Sequence, residues 1–463
     1  MTDGPSKVVS IAERAEQRQA SAVDPKNPVH VAREFLRRGR IDGWDALLTV
    51  RGEFLAWNGQ THFEPIERAL LARQIYELLE ALGGKMNRHT VIEVQHALEA
   101  ATVYRGAAPC WREGADGPAP DELVPLRNGV LDPSTRLLRP HSAGLFVTAV
   151  APVEYDAAAT CPAFDVFIAN AVPDAESRVV LQRFFGMLVA SRTTQYQRIL
   201  ALIGATRSGK GVLLRLLQRL VGEEQTAAPM LQSLGTRFGL AGLVGRSVAV
   251  VSDARMPVGQ DAASAIEVLL RLSGEDLVYI DRKFGDAYSA RLPCRIVLAS
   301  NEVPRLPDFS SALAGRFVII RTGASHYGHE DHGLEARLHA EASGILNWCL
   351  DGWDDLRKVG RLDQPDDGSG LVEVLRDAGS PIGQFVRECC IVDSSATISK
   401  LHMFSRWRDW CSDAGRSHAG TDSTFATMIL AAAPAVRPMK LRDACGQRIP
   451  SWAGIRLRES GDA

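Results

Sequence analysis

The chain of 463 residues lacks a Cys-x-x-Cys pair, and it lacks any apolar run near the ~20 residues that a membrane-spanning helix needs. Its eight cysteines are scattered, which argues against a disulfide framework or a cysteine zinc site and predicts reduced thiols. The N-terminus also lacks the basic and then apolar pattern of a secretory signal. We therefore expect a cytoplasmic protein without membrane contact.

An excess of positive charge is missing as well. The chain has 53 Lys and Arg against 55 Asp and Glu, and its formal net charge is −2. No global basic field attracts nucleic acid, so any DNA contact must come from local patches or from a pore. A composition of 46% hydrophobic and 23% charged residues is ordinary for a globular chain, and the length allows several domains.

One motif that is present is a phosphate-binding loop. An apolar stretch at 199–203 runs into Gly204, Ala205, Thr206, Arg207, Ser208, Gly209, Lys210, Gly211 and Val212, and a helical pattern follows. Glycines let backbone N–H groups turn toward phosphate oxygens, the helix adds its dipole, and a lysine can reach the outer phosphates. We predict that residues 204–212 bind ATP with Mg²⁺. The alternative is a glycine-rich turn without a ligand.

The loop departs from its usual pattern at one position. Gly211 follows Lys210, where a Ser or Thr normally places a hydroxyl on magnesium, and Val212 does not replace it. We expect nucleotide binding to survive and hydrolysis to be slow.

Polar residues flank three further apolar segments. Asp253 comes after the apolar stretch 248–251 and is predicted to hold the metal or orient the attacking water, unless it only caps a turn. Asn301 follows the apolar stretch 296–299 and is suited to contact the outermost phosphate, although Asn is also common in turns. Arg316 precedes a third apolar stretch and is suited to act on a neighbouring subunit, although a surface ion pair is the alternative.

Strands that alternate with helices predict an α/β fold with a mainly parallel sheet. The pattern divides the chain into a flexible leader at 1–40, a small α+β domain at 41–118, a helical region suited to oligomerisation at 119–195, an ATPase domain at 196–360, a linker at 361–380 and a C-terminal domain at 381–463.

In this order, the residues resemble the superfamily 3 helicases, specifically the motor of phage, plasmid and poxvirus-type primase–helicases. The resemblance covers about residues 120–463 and includes the stretches 126–132, 155–164, 272–276, 281–284, 301–304 and 316–317. It implies an AAA+-like motor that forms a homo-oligomeric ring, usually a hexamer, hydrolyses ATP between subunits and moves 3′→5′ on DNA.

The resemblance also implies residue roles. Lys210 holds phosphates, Asp253 is the acid of the second motif, Asn301 is the sensor and Arg316 is the finger that acts in trans. A hairpin before the sensor segment tracks DNA in that family, and Arg282 and Lys283 occupy its place here, although a solvated turn is the alternative. A longer family member carries a primase domain, but residues 1–120 show no paired-acid metal site, so we expect a separate primase or initiator as partner.

The C-terminal segment completes the prediction. Helical patterns followed by two strand patterns describe a winged-helix domain, and its arginines and lysines suit duplex DNA, although such domains also dock proteins. His326, His329 and His332 have no rigid frame, so we interpret them as a solvated loop instead of a metal site. We expect a replicative helicase of a mobile element or phage acting on single-stranded and forked DNA, or else an ATP-switched loader with little unwinding.

Overall fold

The computed structural model describes residues 23–254, 260–283, 285–304, 312–414, 419–442 and 447–458. The chain forms two compact units, residues 1–155 and residues 156–463. In the described ranges, no helix is both long enough and apolar enough to cross a bilayer.

The first unit combines helices with small antiparallel sheets. Its described helices are α1 (Pro28–Arg38), α2 (Arg68–Ala81) and α3 (Arg88–Ala101), which pack around Val31, Leu71, Ile75 and Val94. Its strands are β1 (Arg40–Ile41), β2 (Trp44–Asp45), β3 (Leu47–Val50), β4 (Glu53–Trp57), β5 (Phe63–Pro65), β6 (Cys110–Trp111), β7 (Val124–Leu126), β8 (Gly129–Asp132), β9 (Leu137–Arg139) and β10 (Leu145–Phe146).

The sequence pattern predicts a strand pair at 47–50 and 53–57, and β3 and β4 have these bounds. The turn between them is formed by Arg51 and Gly52, which have φ values of 53° and 81°. The Asn58-Gly59 pair is typical of a hairpin turn and predicts the turn of this strand pair, but it lies in the connection from β4 to β5. Positive φ at both central residues matches the twist of a two-residue hairpin.

The second unit holds a five-stranded sheet and most of the helices. Its helices are α4 (Pro162–Ala171), α5 (Ala175–Ala190), α6 (Lys210–Val221), α7 (Gln260–Ser273), α8 (Leu334–Ala340), α9 (Ala342–Val359), α10 (Asp366–Gly379), α11 (Pro381–Cys389), α12 (Lys400–Asp413) and α13 (Asp422–Ala432). Its strands are β11 (Ile199–Ile203), β12 (Thr226–Ala227), β13 (Val248–Val251), β14 (Val278–Arg282), β15 (Gly285–Ala290), β16 (Arg295–Ser300), β17 (Phe317–Arg321), β18 (Cys390–Ile391), β19 (Thr397–Ser399), β20 (Arg437–Arg442), β21 (Arg448–Ala453) and β22 (Arg456–Leu457).

The large sheet is parallel throughout, in the order β12, β13, β16, β11, β17. Strands β11, β13 and β16 are buried along their whole length, as expected for continuous apolar sequences in a parallel sheet. Since all strands run in one direction, their carboxyl ends meet at one edge. The predicted mixed α/β fold with a mainly parallel sheet is confirmed.

The segment 361–380 differs from the expected linker, because α10 occupies residues 366–379. Gly368 lies so close to β17 that a Cβ atom would overlap the carbonyl oxygen of Ile319. Just before the helix, the side-chain amide of Gln364 donates to that oxygen at 2.9 Å and accepts from the Ile319 N–H at 2.8 Å. Tertiary packing therefore overrides a local composition that disfavours helix.

The last part of the chain runs in the order α11, β18, β19, α12, α13, β20, β21, β22. Strands β19, β21 and β20 form an antiparallel sheet. The core beside it is aromatic, with Trp407 and Trp410 stacked at 5.4 Å between ring centroids and Phe385 and Phe425 against them. The helical pattern predicts a helix from Ile398, but α12 begins at Lys400, because 397–399 form a strand. The sequence also predicts a hairpin connection at 444–447, of which residues 444–446 lie outside the described residues.

Candidate nucleotide site

The loop between β11 and α6 has the backbone of an anion-binding nest. Arg207 has a φ of 61° and Gly209 a φ of 94°, and α6 begins at Lys210 immediately afterwards. Residues that alternate with left-handed neighbours turn their N–H groups into one concavity, and the helix N-terminus adds positive potential. This geometry suits a chain of phosphates.

Lys210 lies inside this loop. Its side chain is 8% exposed, and its Nζ donates at 2.7 Å to the carbonyl oxygens of Gly204 and Ala205. Burial lowers the pKa of Lys210, because desolvation disfavours the ammonium form. The loop therefore holds one buried cation at the place where phosphate oxygens would lie.

A second contact fixes the loop to the neighbouring strand. The hydroxyl groups of Ser208 and Thr322 lie 2.6 Å apart, and Ser208 is 1% exposed. Gly204 is packed so tightly that a Cβ atom would overlap Thr322 Oγ1. Thr322 follows β17 directly, and it was not predicted as a site residue because nothing in the local sequence pattern links residue 322 to residue 204.

The loop fits phosphates better than it fits a metal ion. Ser208 already pairs with Thr322, and residues Gly211 and Val212 have no hydroxyl group. For Mg²⁺ the chain offers Asp253, an exposed carboxylate. No cluster of three or more His, Cys, Asp or Glu side chains suited to a metal is found in the described part of the chain.

The loop opens into a cavity of about 790 Å³. Residues 206–212 line one part of it, and Asn301 reaches it from the end of β16. Another part is apolar and is lined by Val166 and Phe167 of α4 and by Leu334 of α8. A volume of several hundred Å³ with one polar and one apolar part is typical of small-molecule sites.

A segment after β17, residues 325–331, lies over the loop. Ser325 Oγ donates to the Thr206 carbonyl at 2.7 Å, and the His326 N–H donates to the Arg207 carbonyl at 3.1 Å. The Arg207 guanidinium forms an ion pair with Glu330 and lies 4.6 Å from the centre of the Tyr327 ring. The histidine-containing segment, which we interpreted as a solvated loop, thus forms part of the cavity wall.

The sheet brings three of the predicted positions to one edge. Ile203, before the loop, pairs with Ser300, before Asn301, and Val251 pairs with Leu298 one strand further. Asp253 lies two residues beyond β13 and is exposed, but it is not among the residues that line the cavity. Lys210 and Asn301 therefore share the cavity, and Asp253 lies at the same edge of the sheet.

Arg316 lies at the opposite edge. It directly precedes β17, whose first residue, Phe317, pairs with Ile199 at the start of β11. The Arg316 guanidinium donates to the Leu270 carbonyl and, at 2.9 Å, to Ser273 Oγ. In this conformation it satisfies the C-terminal end of α7.

The hairpin expected before the sensor segment is present as β14 and β15. Lys283 lies at its tip and is exposed. The side chain of Arg282 and the whole of Phe284 lie outside the described residues. Tyr279, on β14, is 63% exposed, and it was not predicted from the sequence as a site residue.

Two family models match parts of the chain. Residues 46–173 match a model described as D5 N terminal like, and residues 202–316 match one described as a family of unknown function (DUF5906). The first match ends two residues after α4, and the second spans the phosphate loop through Arg316.

Solved structures are similar over most of the chain. The apo structure of the NrS-1 C terminal region has a TM-score of 0.59 at 14% identity and covers 93% of this chain and 99% of its own. Two A form apo structures of the same region have TM-scores of 0.52 and 0.51 at 14% and 13% identity, and each covers 93% of this chain and 99% or 100% of its own. The chain therefore shares its fold with the NrS-1 C terminal region along 93% of its length.

Proposed function

We propose that the protein is an ATP-dependent DNA helicase that acts in replication of a phage, plasmid or integrated element. The observation that carries this proposal is the cavity at the carboxyl edge of the parallel sheet, where Lys210 lies inside a phosphate-binding nest and Asn301 reaches the same space. The D5 N terminal like match and the likeness to the NrS-1 C terminal region support a phage-type primase–helicase relationship.

In this proposal each residue has one task at the triphosphate. The nest and Lys210 bind the phosphates, Asp253 would hold Mg²⁺ or orient water, and Asn301 contacts the outermost phosphate. ATP and Mg²⁺ supply the transferable phosphoryl group and its charge neutralisation when they are bound. The motor is then a superfamily 3, AAA+-like P-loop domain.

The position of Arg316 supports a ring. Strand β17 separates Arg316 from the edge that carries the phosphate loop, and five residues at ~3.3 Å each span about 16 Å. An arginine at this edge suits the site of the next subunit better than the site of its own chain. From this assignment we propose a homo-oligomer, and six subunits is the first stoichiometry to test.

Two surfaces are proposed to contact DNA. The hairpin of β14 and β15 presents Lys283 and the exposed ring of Tyr279, a combination that suits a single strand through phosphate contact and base stacking. The C-terminal helices and the sheet of β19, β21 and β20 have the element order of a winged-helix domain, which we assign to duplex or forked DNA.

A second candidate is an ATP-switched loader with little unwinding. The observation in its favour is that Gly211 has no hydroxyl group and that the hydroxyl group of Ser208 is already hydrogen-bonded to Thr322. A weakly coordinated Mg²⁺ lowers the rate of ATP hydrolysis more than it lowers the affinity for ATP. Stoichiometric ATP binding without turnover on forked DNA would favour this candidate.

The helicase proposal is tested by steady-state ATPase with and without single-stranded DNA. We expect Lys210→Ala and Arg316→Ala each to abolish DNA-stimulated turnover. A 1:1 mixture of the two inactive variants should recover up to about a quarter of the wild-type rate, because that share of random interfaces has both groups intact. An exposed arginine of α9, changed as Arg357→Ala, serves as the matched control. Activity of Arg316→Ala alone, or no recovery on mixing, contradicts the shared site.

A further inference from the structure

Helix α4 forms part of the cavity wall, but its own sequence does not cap it. The side chain of the preceding residue, Cys161, does not cap the backbone N–H groups of the helix, and Pro162 occupies the first helical position. The next two backbone N–H groups, of Ala163 and Phe164, donate at 2.9 Å each to the two carboxylate oxygens of Glu341. The carboxylate of Glu341, distant in the sequence, therefore caps α4. Its negative charge lies at the positive end of the helix dipole, which is favourable.

Glu341 is held firmly in place. It lies between α8 and α9, and its N–H donates at 3.2 Å to the carbonyls of Arg337 and Leu338. In α9, Gly344 packs so closely that a Cβ atom would overlap the Thr160 carbonyl oxygen. Asn347 Nδ2 donates to the Asp156 and Ala159 carbonyls at 2.8 and 3.0 Å. The segment 156–160, which leads into α4, is thus held against α9 by hydrogen bonds and close packing.

The other end of α4 is tied to the phosphate loop. The Gly323 N–H donates to the Ala171 carbonyl at 2.9 Å, and a Cβ atom on Gly209 would lie 3.1 Å from Ala171 Cβ. Gly323, which follows β17, and Gly209 of the phosphate loop therefore hold the C-terminal end of α4, and Glu341 holds its N-terminal end.

Between these two ends the helix presents apolar surface to the cavity. Val166 lines the cavity although it is 65% exposed, and Leu334 of α8 lines it as well. An exposed aliphatic side chain in a cavity beside a phosphate nest suits the uncharged end of a nucleotide. Glu341 joins both walls, since it caps α4 and directly follows α8.

We propose that Glu341 is a positioning residue for the nucleoside end of the nucleotide, setting the spacing between the Val166 wall and the Leu334 wall where the base binds. This inference rests on the proposed function and names the part of the site that distinguishes a nucleotide from a bare triphosphate.

The test compares ATP with inorganic tripolyphosphate as ligands of the full chain, each with Mg²⁺. Glu341→Gln keeps the size of the side chain but turns one acceptor into a donor that faces an N–H group. We expect its Kd and KM for ATP to rise about tenfold, while kcat and the Kd for tripolyphosphate change by less than about twofold. Glu373→Gln, on the surface of α10, is the charge-matched control.

A second pair of variants keeps the test decisive if Glu341→Gln does not fold. Val166→Asn should weaken ATP binding about threefold or more and spare tripolyphosphate, whereas Ala169→Asn, on the same helix but outside the cavity lining, should change neither. Equal losses for both ligands, or no loss of ATP affinity, would overturn the inference. A wild-type protein that binds tripolyphosphate but not ATP also overturns it, and one that binds neither overturns the proposed function itself.

Discussion

At the scale of single residues, Gly211 is the position where the phosphate loop departs most from its usual chemistry. It is the second residue of α6, and a Cβ atom there would lie 3.2 Å from Arg215 Nη1, the movable end of a long side chain. The site can therefore accept a larger residue.

We predict that Gly211→Ser strengthens the response to magnesium. A hydroxyl at this position adds an oxygen ligand, so the Mg²⁺ concentration for half-maximal ATPase should fall about fivefold. Gly211→Ala is the matched control, because it gives the same helix stabilisation without the hydroxyl. Equal effects of both variants in a magnesium titration would contradict the prediction.

Arg295 is a second informative residue, buried at the start of β16. Its guanidinium donates to the carbonyls of Ser247, Ser191 and Leu188 and so joins β13 and the end of α5 to the sheet. Burial lowers the pKa of Arg295, because desolvation disfavours the charged form.

We predict that Arg295→Met lowers the free energy of unfolding by about 3 kcal/mol, because it removes the guanidinium donors from the carbonyl groups of Ser191 and Leu188, while Ser247 keeps only the backbone N–H of residue 295. Urea unfolding of the purified variant measures the loss. Arg291→Met, at an exposed position four residues earlier, should change the stability by less than about 0.5 kcal/mol. A loss of similar size in both variants would assign the effect to the methionine and not to the carbonyl contacts.

At the scale of elements, the hairpin of β14 and β15 is the element that distinguishes the proposed helicase from the proposed ATP-switched loader. Its strands are antiparallel, with Tyr279 opposite Ser289, and they end at an exposed lysine, Lys283. A cation at the tip of a short hairpin can follow a phosphate backbone without reading its sequence.

We predict that Lys283→Ala reduces the stimulation of ATPase by single-stranded DNA about tenfold, measured as the ratio of rates with and without DNA. Lys358→Ala, in the exposed last turn of α9, is the control. If the variant still assembles and its stimulation by DNA is unchanged, the hairpin does not contact the DNA strand and the assignment is wrong.

Elements also mark the limit of prediction from the sequence. The strands β11, β13, β16 and β17 were predictable because each is a short continuous apolar run. Helix α10 was not, because the reason for its glycine is contact with β17, which no local pattern records. The Glu341 cap joins residues 178 positions apart, and the only local sign was a helix that starts at Cys161-Pro162 without a capping side chain.

At the scale of the whole molecule, a chain with a net charge of −2 concentrates positive charge on its last sheet. Lys440 and Arg442 point to the same face of β20, and Arg442 lies directly opposite Arg448 of β21. Like charges in directly opposite positions repel each other, and a bound phosphate relieves that repulsion.

We predict that the double variant Lys440→Gln and Arg442→Gln weakens binding to duplex DNA and makes the slope of log K against log salt shallower by about 2. Gel-shift titrations at several salt concentrations measure both quantities. The pair Lys85→Gln and Arg88→Gln removes the same charge from exposed positions of the first unit and should leave the slope unchanged. Equal slopes for both double variants would favour a protein-docking role for this sheet.

The contact of Gln364 with strand β17 has a consequence for assembly. Strand β17 is the outermost strand of the parallel sheet, and the amide of Gln364 occupies both hydrogen-bonding groups of Ile319 just where a further strand would attach. A blocked margin of this kind prevents one molecule from extending the sheet of another. In the proposed ring, copies of the chain would therefore meet at this margin through side-chain surfaces, which can separate during a cycle, and not through backbone pairing with β17.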